Sequence, residues 1–496
     1  MTHSLSYKKI LQILKENDLL SESLIENPEA EVRNISYNSS EVTADTLFFV
    51  KGVHFKEEYL VQALAAGASA YVAEQKYALD ADYILVSDIR LAISILAPIF
   101  FENPADDLDL IGITGTKGKT TVAYFLKNIL DAASGTETGL MGTEETITGI
   151  SHVGSHNTTP EPIDLQNFLD EAREAKLPYF TMEVTSQAYK VGRVRGITFD
   201  HGIWLNIAED HISPAEHPDF EDYISCKLQL MLHSREVLIN RGTDHFERVL
   251  KTAASSELQP AISLYGAENF RDEVDYYYCN LGKDGALQTF TVKSGRTGYS
   301  EDFAIRTVGL FNVENATAAV AQAKLLNIPD EAIRSGLLKT VIPGRMNIME
   351  KDGITFVVDY AHNFMSFSAL FKSIRQDYPD NKIIAVGGAP GEKAYQRRKD
   401  FADVVSQYAD YIYITAEDPQ FESVREISEE IASFLPENTR YEIIEDREAA
   451  IRAAYASAQP GDVIVLLAKG TEAFQKVCGK WAPYPSDVVL AQELLK

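Results

Sequence analysis

A glycine-rich turn between an apolar strand and an amphipathic helix constrains this chain more than any other feature. The turn reads Thr114-Gly115-Thr116-Lys117-Gly118-Lys119-Thr120-Thr121. Residues 108–113 before it are predicted to form a short apolar strand, and after it Val122, Phe125 and Ile129 fall at helical spacing. Such a turn points its backbone N–H groups inward at a helix start, where negative charge is favoured. The pattern therefore predicts a phosphate-binding loop within an α/β fold.

Within this loop, Lys119 is placed to reach the β- and γ-phosphates of ATP, and the Thr120 hydroxyl is placed to bind Mg²⁺. The match to the strict motif is imperfect, because Ile113 stands where its first glycine is required and Gly112 lies one place earlier. The alternative is a surface turn rich in Gly and Thr. Strand, loop, Lys-Thr pair and helix together favour the nucleotide site, whose other loop contacts would be Gly115, Thr116, Lys117, Gly118 and Thr121.

The composition sets limits on partners and location. The chain has 496 residues and a net charge of −27, a balance that repels nucleic acid and anionic membranes. No apolar run approaches the ~20 residues that span a bilayer. Cys226, Cys279 and Cys478 are scattered and odd in number, which argues against a disulfide framework or a zinc site. We expect a cytoplasmic monomer that binds neither nucleic acid nor a membrane.

The order of predicted elements indicates three domains. Residues 1–103 alternate short helices and strands, residues 104–340 carry the phosphate loop, and residues 341–496 alternate again in a Rossmann-like way without GxGxxG. We predict an α/β protein with a small N-terminal α/β domain and a central doubly wound, mostly parallel sheet. Residues 276–279 and 286–292 are predicted to form an antiparallel appendage to that sheet.

A series of motifs along the chain resembles the Mur ligase family, the ATP-dependent amide-forming enzymes of peptidoglycan precursor synthesis. Besides the loop, the motifs are Met182-Glu183-Val184, Asn206 with Asp210-His211, Tyr223-x-x-x-Lys227, Gly309-Leu310-Phe311-Asn312-Val313-x-Asn315, Pro343-Gly344-Arg345-Met346 and Asp359-Tyr360-Ala361-His362. They occur in the family's order over nearly the whole chain. Within the family, Asn157-Thr158-Thr159-Pro160 and the segment around Ser39 resemble the MurE ligases, which add a diamino acid to UDP-MurNAc-L-Ala-D-Glu.

The resemblance implies a set of site residues and an acyl-phosphate mechanism. Glu183, His211 and Thr120 resemble ligands of Mg²⁺, of which two ions are expected, and Lys227 resembles the lysine that CO₂ converts to a carbamate. With Lys119, the catalytic set is then Glu183, His211 and Lys227. Further ATP contacts are Asn315, Arg345, Asp359 and His362, and the UDP-substrate contacts are Ser39, Thr158, Thr159, Thr185 and Arg193.

The choice of amine depends on the stretch Glu417-Asp418-Pro419-Gln420. Family members that use meso-diaminopimelate share Asp-Asn-Pro-Arg here, and the arginine binds the distal carboxylate. Gln420 carries no charge, whereas Glu417 and Asp418 favour an ammonium. We therefore expect L-lysine as substrate, with Glu472 as a further ligand of an ammonium group. Departures at Gln187, Ser40 and Asn347 concern the substrate more than the ATP chemistry.

Other functions stay open at this point. The chain could use L-ornithine or meso-diaminopimelate, or it could be a folylpolyglutamate-like synthetase of the same build. The presence of Thr158, Thr159 and the Ser39 segment argues against a folylpolyglutamate-like synthetase. A non-catalytic ATP-binding module is disfavoured, because a conformational switch has no need of Glu183 and Lys227.

Overall fold

The computed structural model describes residues 3–52, 55–155, 157–210, 212–213, 216–284, 287–307 and 309–496. Its α/β architecture confirms the fold class predicted from the sequence. Within each of the ranges 1–103, 104–340 and 341–496 there is one principal sheet. We retain these ranges as proposed domain boundaries.

The N-terminal part is built on a sheet that is parallel except at one edge. Its strands, in spatial order, are Leu20–Leu24, Tyr83–Val86, Ala68–Ala73, Thr46–Phe49 and Asn34–Ser36, of which the first pairs antiparallel. A short pair, Leu5–Ser6 with Glu31–Val32, lies beside it. The helices are Tyr7–Glu16, Glu57–Ala65 and Ile89–Phe100.

The central part contains the largest sheet of the described chain, with 11 strands. The pairings from Gly139–Met141 to Tyr276–Asp284 are all parallel, and both ends of the sheet are antiparallel. The spatial order is His152–Gly154, Glu145–Ile147, Gly139–Met141, Tyr179–Glu183, Asp109–Thr114, Phe199–Trp204, Ser234–Asn240, Ala261–Ala267, Tyr276–Asp284, Leu287–Lys293 and Ser300–Ile305. The appendage predicted at 276–279 and 286–292 is therefore continuous with the main sheet; residue 286 lies outside the described residues.

Helices cover both faces of this sheet. They are Lys119–Ser134, Pro162–Glu174, Ser186–Lys190, Phe220–Leu232, Phe246–Ala254, Leu310–Leu325 and Asp330–Lys339. Ile111 and Ile113 pack into one apolar cluster, whereas Leu110 packs into the other, because successive strand residues face opposite sides. Parallel strands that are buried on both faces place their carboxyl ends, and the loops that follow them, at one edge of the sheet.

The C-terminal part has a sheet that is parallel apart from its first pair. The strands, in order, are Asn347–Lys351, Ile354–Asp359, Val463–Leu467, Ile383–Gly387, Tyr411–Ile414 and Tyr441–Ile443. A hairpin of Phe474–Val477 and Lys480–Pro483 follows the sheet. The helices are Phe364–Asp377, Gln396–Tyr408, Val424–Ser433, Arg447–Ser457 and Asp487–Leu494. Among the residues described, no helix combines the length and the apolar character needed to cross a membrane.

A buried ion pair connects the strand ends of the C-terminal sheet. Arg447 donates to both carboxylate oxygens of Asp487, at 2.9 and 2.7 Å, and both side chains are 0% exposed. Its remaining donors bind the carbonyl oxygens of Ala416 at 3.1 Å and Leu467 at 2.6 Å. The pair therefore holds together the two strand ends that lead to Glu417 and to the loop before Glu472.

Replacing Arg447 by alanine is expected to lower the free energy of unfolding by about 3–5 kcal/mol, because Asp487 is left charged and buried without its partner. Urea denaturation measures the effect. The matched control is Glu448→Ala on the same helix, which breaks an exposed ion pair with Arg452 and should cost under about 1 kcal/mol. Equal effects of the two variants would contradict the assignment.

Candidate active site

The phosphate loop has the geometry that its sequence predicts. The strand Asp109–Thr114 ends in the loop, and the helix Lys119–Ser134 begins immediately after Gly118. Gly118 has a φ of 91°, and a Cβ atom there would lie 2.4 Å from Oδ1 of Asn315. Glycine is therefore required at this position for two reasons, its left-handed backbone and the close approach of Asn315.

The loop forms the floor of a cleft of about 730 Å³. Residues from all predicted groups except the Ser39 segment line it, and they come from the central and C-terminal parts of the chain. The lining includes Thr116, Lys117, Gly118, Lys119, Thr120, Thr121, Thr158, Thr159, Glu183, Thr185, Arg193, Lys227, Asn315, Arg345, Asp359, His362, Glu417, Asp418 and Glu472.

Two lysine side chains in the cleft share one backbone acceptor. Nζ of Lys119 donates to the carbonyl oxygen of Gly115 at 2.8 Å, and Nζ of Lys227 donates to the same oxygen at 2.9 Å. Lys227 is 2% exposed, and its Nζ lies 5.0 Å from the centre of the Tyr223 ring. Burial lowers the pKa of Lys227 well below its usual value, and the neighbouring charge of Lys119 lowers it further. The surroundings of Lys227 therefore favour the uncharged form of its amine.

A third lysine lies at the mouth of the loop. Nζ of Lys117 lies 3.3 Å from a carboxylate oxygen of Asp210. Burial lowers the pKa of Lys117 to about 8, although Asp210 opposes this shift. The backbone of Lys117 is fixed by the Asn206 side chain, which accepts from its N–H at 2.9 Å and donates to its carbonyl at 3.0 Å. The Asn206 motif therefore supports the loop from the neighbouring strand.

Oxygen donors of the type that binds hard cations lie beside this loop. Glu183 is 1% exposed, and its carboxylate accepts from the N–H of Thr143 at 2.9 Å and from the Thr143 hydroxyl at 3.2 Å. Thr120 lines the same cleft at the start of its helix. His211 lies outside the described residues, so its predicted role stays a prediction. The carboxylate and hydroxyl oxygens that remain are a donor set that fits Mg²⁺.

The C-terminal part brings a cation to the cleft opposite the loop. The Arg345 guanidinium lies 4.3 Å from the centre of the Tyr360 ring and 3.7 Å from a carboxylate oxygen of Glu144 in the central part. Its Nη1 is buried without a hydrogen-bond partner. Thr471 donates a hydrogen bond to Glu144 as well, so two C-terminal residues meet at one central carboxylate. An unpaired buried donor beside the phosphate loop is suited to an anionic ligand.

Asp359 and His362 are held by their own loop. Asp359 accepts backbone hydrogen bonds from Met346 at 2.8 Å and Ala361 at 2.7 Å. Nδ1 of His362 lies 2.8 Å from the carbonyl oxygen of Tyr360, and burial lowers the pKa of His362 well below its usual value. His362 is therefore neutral. The adjacent Asn363 donates to Asp210 at 2.9 Å, which adds a second contact between the C-terminal and central parts.

The predicted UDP-substrate residues form two separate groups. The hydroxyl groups of Thr159 and Thr185 lie 3.3 Å apart, and that of Thr158 lies 3.1 Å from the hydroxyl of Thr143. Arg193 donates to the carbonyl of Thr159 at 3.2 Å and to Glu161 at 2.7 and 3.0 Å. Ser39 is outside the described lining of the cleft and hydrogen-bonds to Gln62 at 3.3 Å in the N-terminal part.

The three acidic residues predicted to bind the amine differ in their partners. Nζ of the buried Lys469 lies 3.0 Å from Asp418 and also binds Glu472, whose other oxygen accepts from the Tyr360 hydroxyl at 2.7 Å. Glu417 is 8% exposed, and its closest described cation is Arg397 at 4.0 Å. Glu417 is therefore the carboxylate of this group that is least engaged within the chain.

The last two residues of the Glu417–Gln420 stretch shape the loop and lie outside the described lining of the cleft. The N–H of Gln420 donates to the carbonyl of Lys476 at 3.0 Å, and Gln420 has a φ of 54°. Pro419 precedes this turn. Both residues therefore contribute to the backbone conformation of the loop.

Sequence reasoning missed the residues that hold the site residues in place. Thr143, Glu144, Tyr360 and Lys469 each contact a predicted site residue through a hydrogen bond or an ion pair. Only Tyr360 stands within a motif that the sequence singled out, whereas Lys469 lies three residues before the predicted Glu472. For Thr143 and Glu144 no local signal exists, because their partners lie far away along the chain.

Comparison with known proteins identifies the family. Residues 113–323 match the Mur ligase middle domain, and residues 344–470 match the glutamate ligase domain of Mur ligases. The chain belongs to the Mur ligase family. The resemblance drawn from the sequence motifs is thereby confirmed.

Relatives of this Mur ligase match it from end to end. A UDP-N-acetylmuramyl-tripeptide synthetase of Lactobacillus acidophilus is 39% identical over 99% of this chain and 98% of its own length. A UDP-N-acetylmuramoyl-L-alanyl-D-glutamate–L-lysine ligase of Enterococcus faecalis is 39% identical over 99% of both chains. The enzyme of that name from Streptococcus pneumoniae is 38% identical over 98% of this chain and 99% of its own.

Solved structures support the fold of this Mur ligase. A UDP-N-acetylmuramoyl-L-alanyl-D-glutamate–2,6-diaminopimelate ligase has a TM-score of 0.63 at 24% identity, covering 100% of this chain and 99% of its own. MurF from Acinetobacter baumannii has a TM-score of 0.68 at 19% identity, with the same coverage. The likeness shows that this arrangement of sheets is the one that Mur ligases adopt.

Proposed function

We propose that this Mur ligase joins the α-amine of L-lysine to the D-glutamate carboxylate of UDP-MurNAc-L-Ala-D-Glu, with ATP converted to ADP and phosphate. The observation that carries the proposal is that one cleft holds the phosphate loop, the Glu183 carboxylate, Lys227 and the acidic group around Glu417. Relatives that match nearly the whole chain are named UDP-N-acetylmuramyl-tripeptide synthetase or UDP-N-acetylmuramoyl-L-alanyl-D-glutamate–L-lysine ligase.

The reaction passes through an acyl phosphate. The γ-phosphoryl group of ATP moves to the D-glutamate carboxylate, and the amine then displaces phosphate from the activated carbon. The chain contributes position and charge. Lys119 and the loop N–H groups bind the phosphates, and the unpaired Nη1 of Arg345 faces them from the C-terminal part.

Thr120 and Glu183 would hold Mg²⁺, together with His211 by resemblance. Their oxygens fit a hard cation, and two ions would follow the family pattern. Bound Mg²⁺ would neutralise charge on the phosphates of ATP. Thr143 keeps Glu183 aimed at that position through two hydrogen bonds.

Lys227 is the proposed site of a carbamate formed with CO₂. Only an uncharged amine reacts with CO₂, and burial beside Lys119 lowers the pKa of this amine, which favours its uncharged form. The reaction places an anionic oxygen donor next to the phosphate loop, beside the Lys119 side chain that shares the Gly115 carbonyl.

The choice of L-lysine rests on charge. Because Lys469 already binds Asp418 and Glu472, Glu417 remains to bind the side-chain ammonium of the substrate. Arg397 lines the cleft and is placed to bind the α-carboxylate, whereas Arg398 is engaged by Glu422 and Glu430. Gln420 supplies no cation for the distal carboxylate of diaminopimelate.

The UDP-sugar peptide is proposed to lie along Thr158, Thr159, Thr185 and Arg193, with its uridine end at the Ser39 segment. The N-terminal part is attached to this region by Lys51, which binds the same Glu161 as Arg193. We further propose that the enzyme is cytoplasmic, since Cys226, Cys279 and Cys478 are free thiols, and that it acts as a monomer.

An amine-competition assay tests the function. The protein is incubated with ATP, Mg²⁺, UDP-MurNAc-L-Ala-D-Glu and, in turn, L-lysine, L-ornithine and meso-diaminopimelate, while phosphate release is followed. We expect release that requires the UDP substrate and is fastest with L-lysine. Glu417→Gln should raise KM for L-lysine about 10- to 100-fold, because a charge-assisted contact is lost.

The matched control is Glu448→Gln, an exposed carboxylate remote from the cleft, which should leave KM for L-lysine unchanged. KM for ATP should stay constant in both variants. Preference for meso-diaminopimelate would overturn the choice of amine. Phosphate release with a folate substrate and glutamate instead would overturn the function itself.

A further inference from the structure

A serine, a histidine and an aspartate lie in a hydrogen-bonded row at the side of the cleft. Nε2 of His217 lies 2.9 Å from Oγ of Ser186, and its Nδ1 lies 2.5 Å from a carboxylate oxygen of Asp222. His217 is 0% exposed, and Ser186 lines the cleft that holds Lys227 and Glu183. In such an arrangement the serine hydroxyl can pass a proton to the histidine, and the aspartate fixes the orientation of the imidazole.

The local folding explains why the three residues meet. Ser186 is the first residue of the helix Ser186–Lys190, which follows the strand that carries Glu183, and Thr185 caps that helix. Asp222 lies in the first turn of the helix Phe220–Leu232, the same helix that carries Lys227. The row therefore runs from the cleft wall to the helix that supports the proposed carbamate.

Asp222 is the acidic partner of His217. The hydrogen bond from Lys190 lowers the pKa of Asp222, so this carboxylate is ionised and can stabilise an imidazolium. The edge of the Tyr223 ring packs on the imidazole at 5.3 Å between ring centres, and the Cys226 thiol belongs to the same cluster within 4.8 Å. Asp222, Tyr223 and Cys226 lie on the helix Phe220–Leu232, and Lys190 lies on the helix Ser186–Lys190.

The proposed reaction needs such a group. An amino acid reaches the enzyme at neutral pH as an ammonium, which has no electron pair for attack on an acyl phosphate. A proton acceptor within the cleft is therefore required before the carbon–nitrogen bond forms.

We infer that Ser186 relays a proton from the reacting ammonium of the amino-acid substrate to His217, and that Asp222 holds the resulting imidazolium. This inference rests on the proposed ligase function. One N–H bond of the ammonium breaks and an O–H bond forms at Ser186, while the former O–H bond of Ser186 breaks and an N–H bond forms at Nε2. After phosphate has left, the imidazolium returns a proton to Oγ of Ser186, which passes its own hydroxyl proton to solvent in the cleft. Ser186 is the catalytic residue, and His217 and Asp222 act through it.

Hydroxylamine separates this step from the rest of the reaction, because it is largely uncharged at neutral pH and attacks an acyl phosphate without prior loss of a proton. His217→Gln should lower L-lysine-dependent turnover about 10²-fold. Hydroxamate formation from ATP, UDP-MurNAc-L-Ala-D-Glu and hydroxylamine should stay unchanged in the same variant. The residual L-lysine rate should rise with pH more steeply than that of the parent, since free amine then replaces the relay.

Two further variants complete the test. Ser186→Ala should behave as His217→Gln does, and Ser186→Thr, which keeps a hydroxyl, should recover most of the L-lysine rate. Cys226→Ser is the matched control from the same cluster and should leave both rates unchanged. Circular dichroism verifies that each variant is folded.

Equal losses of the L-lysine and hydroxylamine reactions in a folded His217→Gln variant would assign His217 a structural role and overturn the relay. An unchanged L-lysine rate would overturn it too. A parent enzyme that forms no hydroxamate and no lysine-dependent phosphate would instead overturn the proposed ligase function, on which the relay depends.

Discussion

Replacing Lys227 by alanine is expected to lower the ligation rate by about 10²–10³-fold, the usual cost of removing one group that stabilises charge in a transition state. Lys227 is buried and shares the Gly115 carbonyl with Lys119, and burial lowers the pKa of its amine. As a carbamate it would bring anionic oxygens to the phosphate loop, which alanine cannot do. Short carboxylic acids added to the alanine variant should restore part of the activity, since they replace the missing oxygens.

Mass spectrometry at low temperature in bicarbonate buffer should find one added CO₂ on Lys227. Lys227→Arg should be as inactive as the alanine variant, because a guanidinium stays charged and does not react with CO₂. Lys251→Ala on an exposed helix face serves as the control and should keep full activity. An unmodified amine together with an active alanine variant would refute the carbamate.

Substitution of Lys119 by alanine should reduce ATP-dependent turnover about 10³-fold, while the unfolding free energy changes little. Lys119 is held over the loop by the carbonyl oxygens of Gly115 and Thr116. The Lys119 side chain is thus positioned before the nucleotide binds. Of the loop side chains, we expect it to contribute most to stabilising negative charge on the phosphoryl group during transfer. Steady-state kinetics with varied ATP should show the loss mainly in kcat.

The matched control is Lys127→Ala, two turns further along the same helix, where the lysine forms an ion pair with Asp131 at 2.7 Å. That change should leave kcat intact, and because the Lys127 side chain is only 11% exposed, its cost in stability should exceed that of an exposed ion pair. If both lysine variants lost activity to the same extent, the effect would be one of the helix and not of the phosphate loop.

The phosphate loop and its flanking elements could be predicted from the sequence because their signal is local. The strand Asp109–Thr114 and the helix Lys119–Ser134 each show their own periodicity, and the glycines mark the turn between them. By contrast, the helix Leu310–Leu325 was not predicted. It is buried on nearly all sides from Asn312 to Ala323, so it has no polar face to give a helical pattern.

Contacts between residues that lie far apart along the chain could not be predicted from the sequence. Lys227 and Gly115 lie 112 residues apart, and only the family resemblance connected Lys227 with the loop. The prediction that Asp418 and Glu472 receive a substrate ammonium did not take Lys469 into account. That lysine is 3 residues from Glu472 but 51 from Asp418, and its position between them depends on how two strand ends meet.

The carboxylate of Glu144 connects the central part of the chain to two loops of the C-terminal part. Arg345 and Thr471 reach it from two separate C-terminal loops, and burial raises its pKa, so its charged form depends on these two partners. Any motion that separates the C-terminal loops from the central part at this point breaks both contacts together. Glu144 therefore ties two separate C-terminal loops to one carboxylate, so that they leave it as a unit.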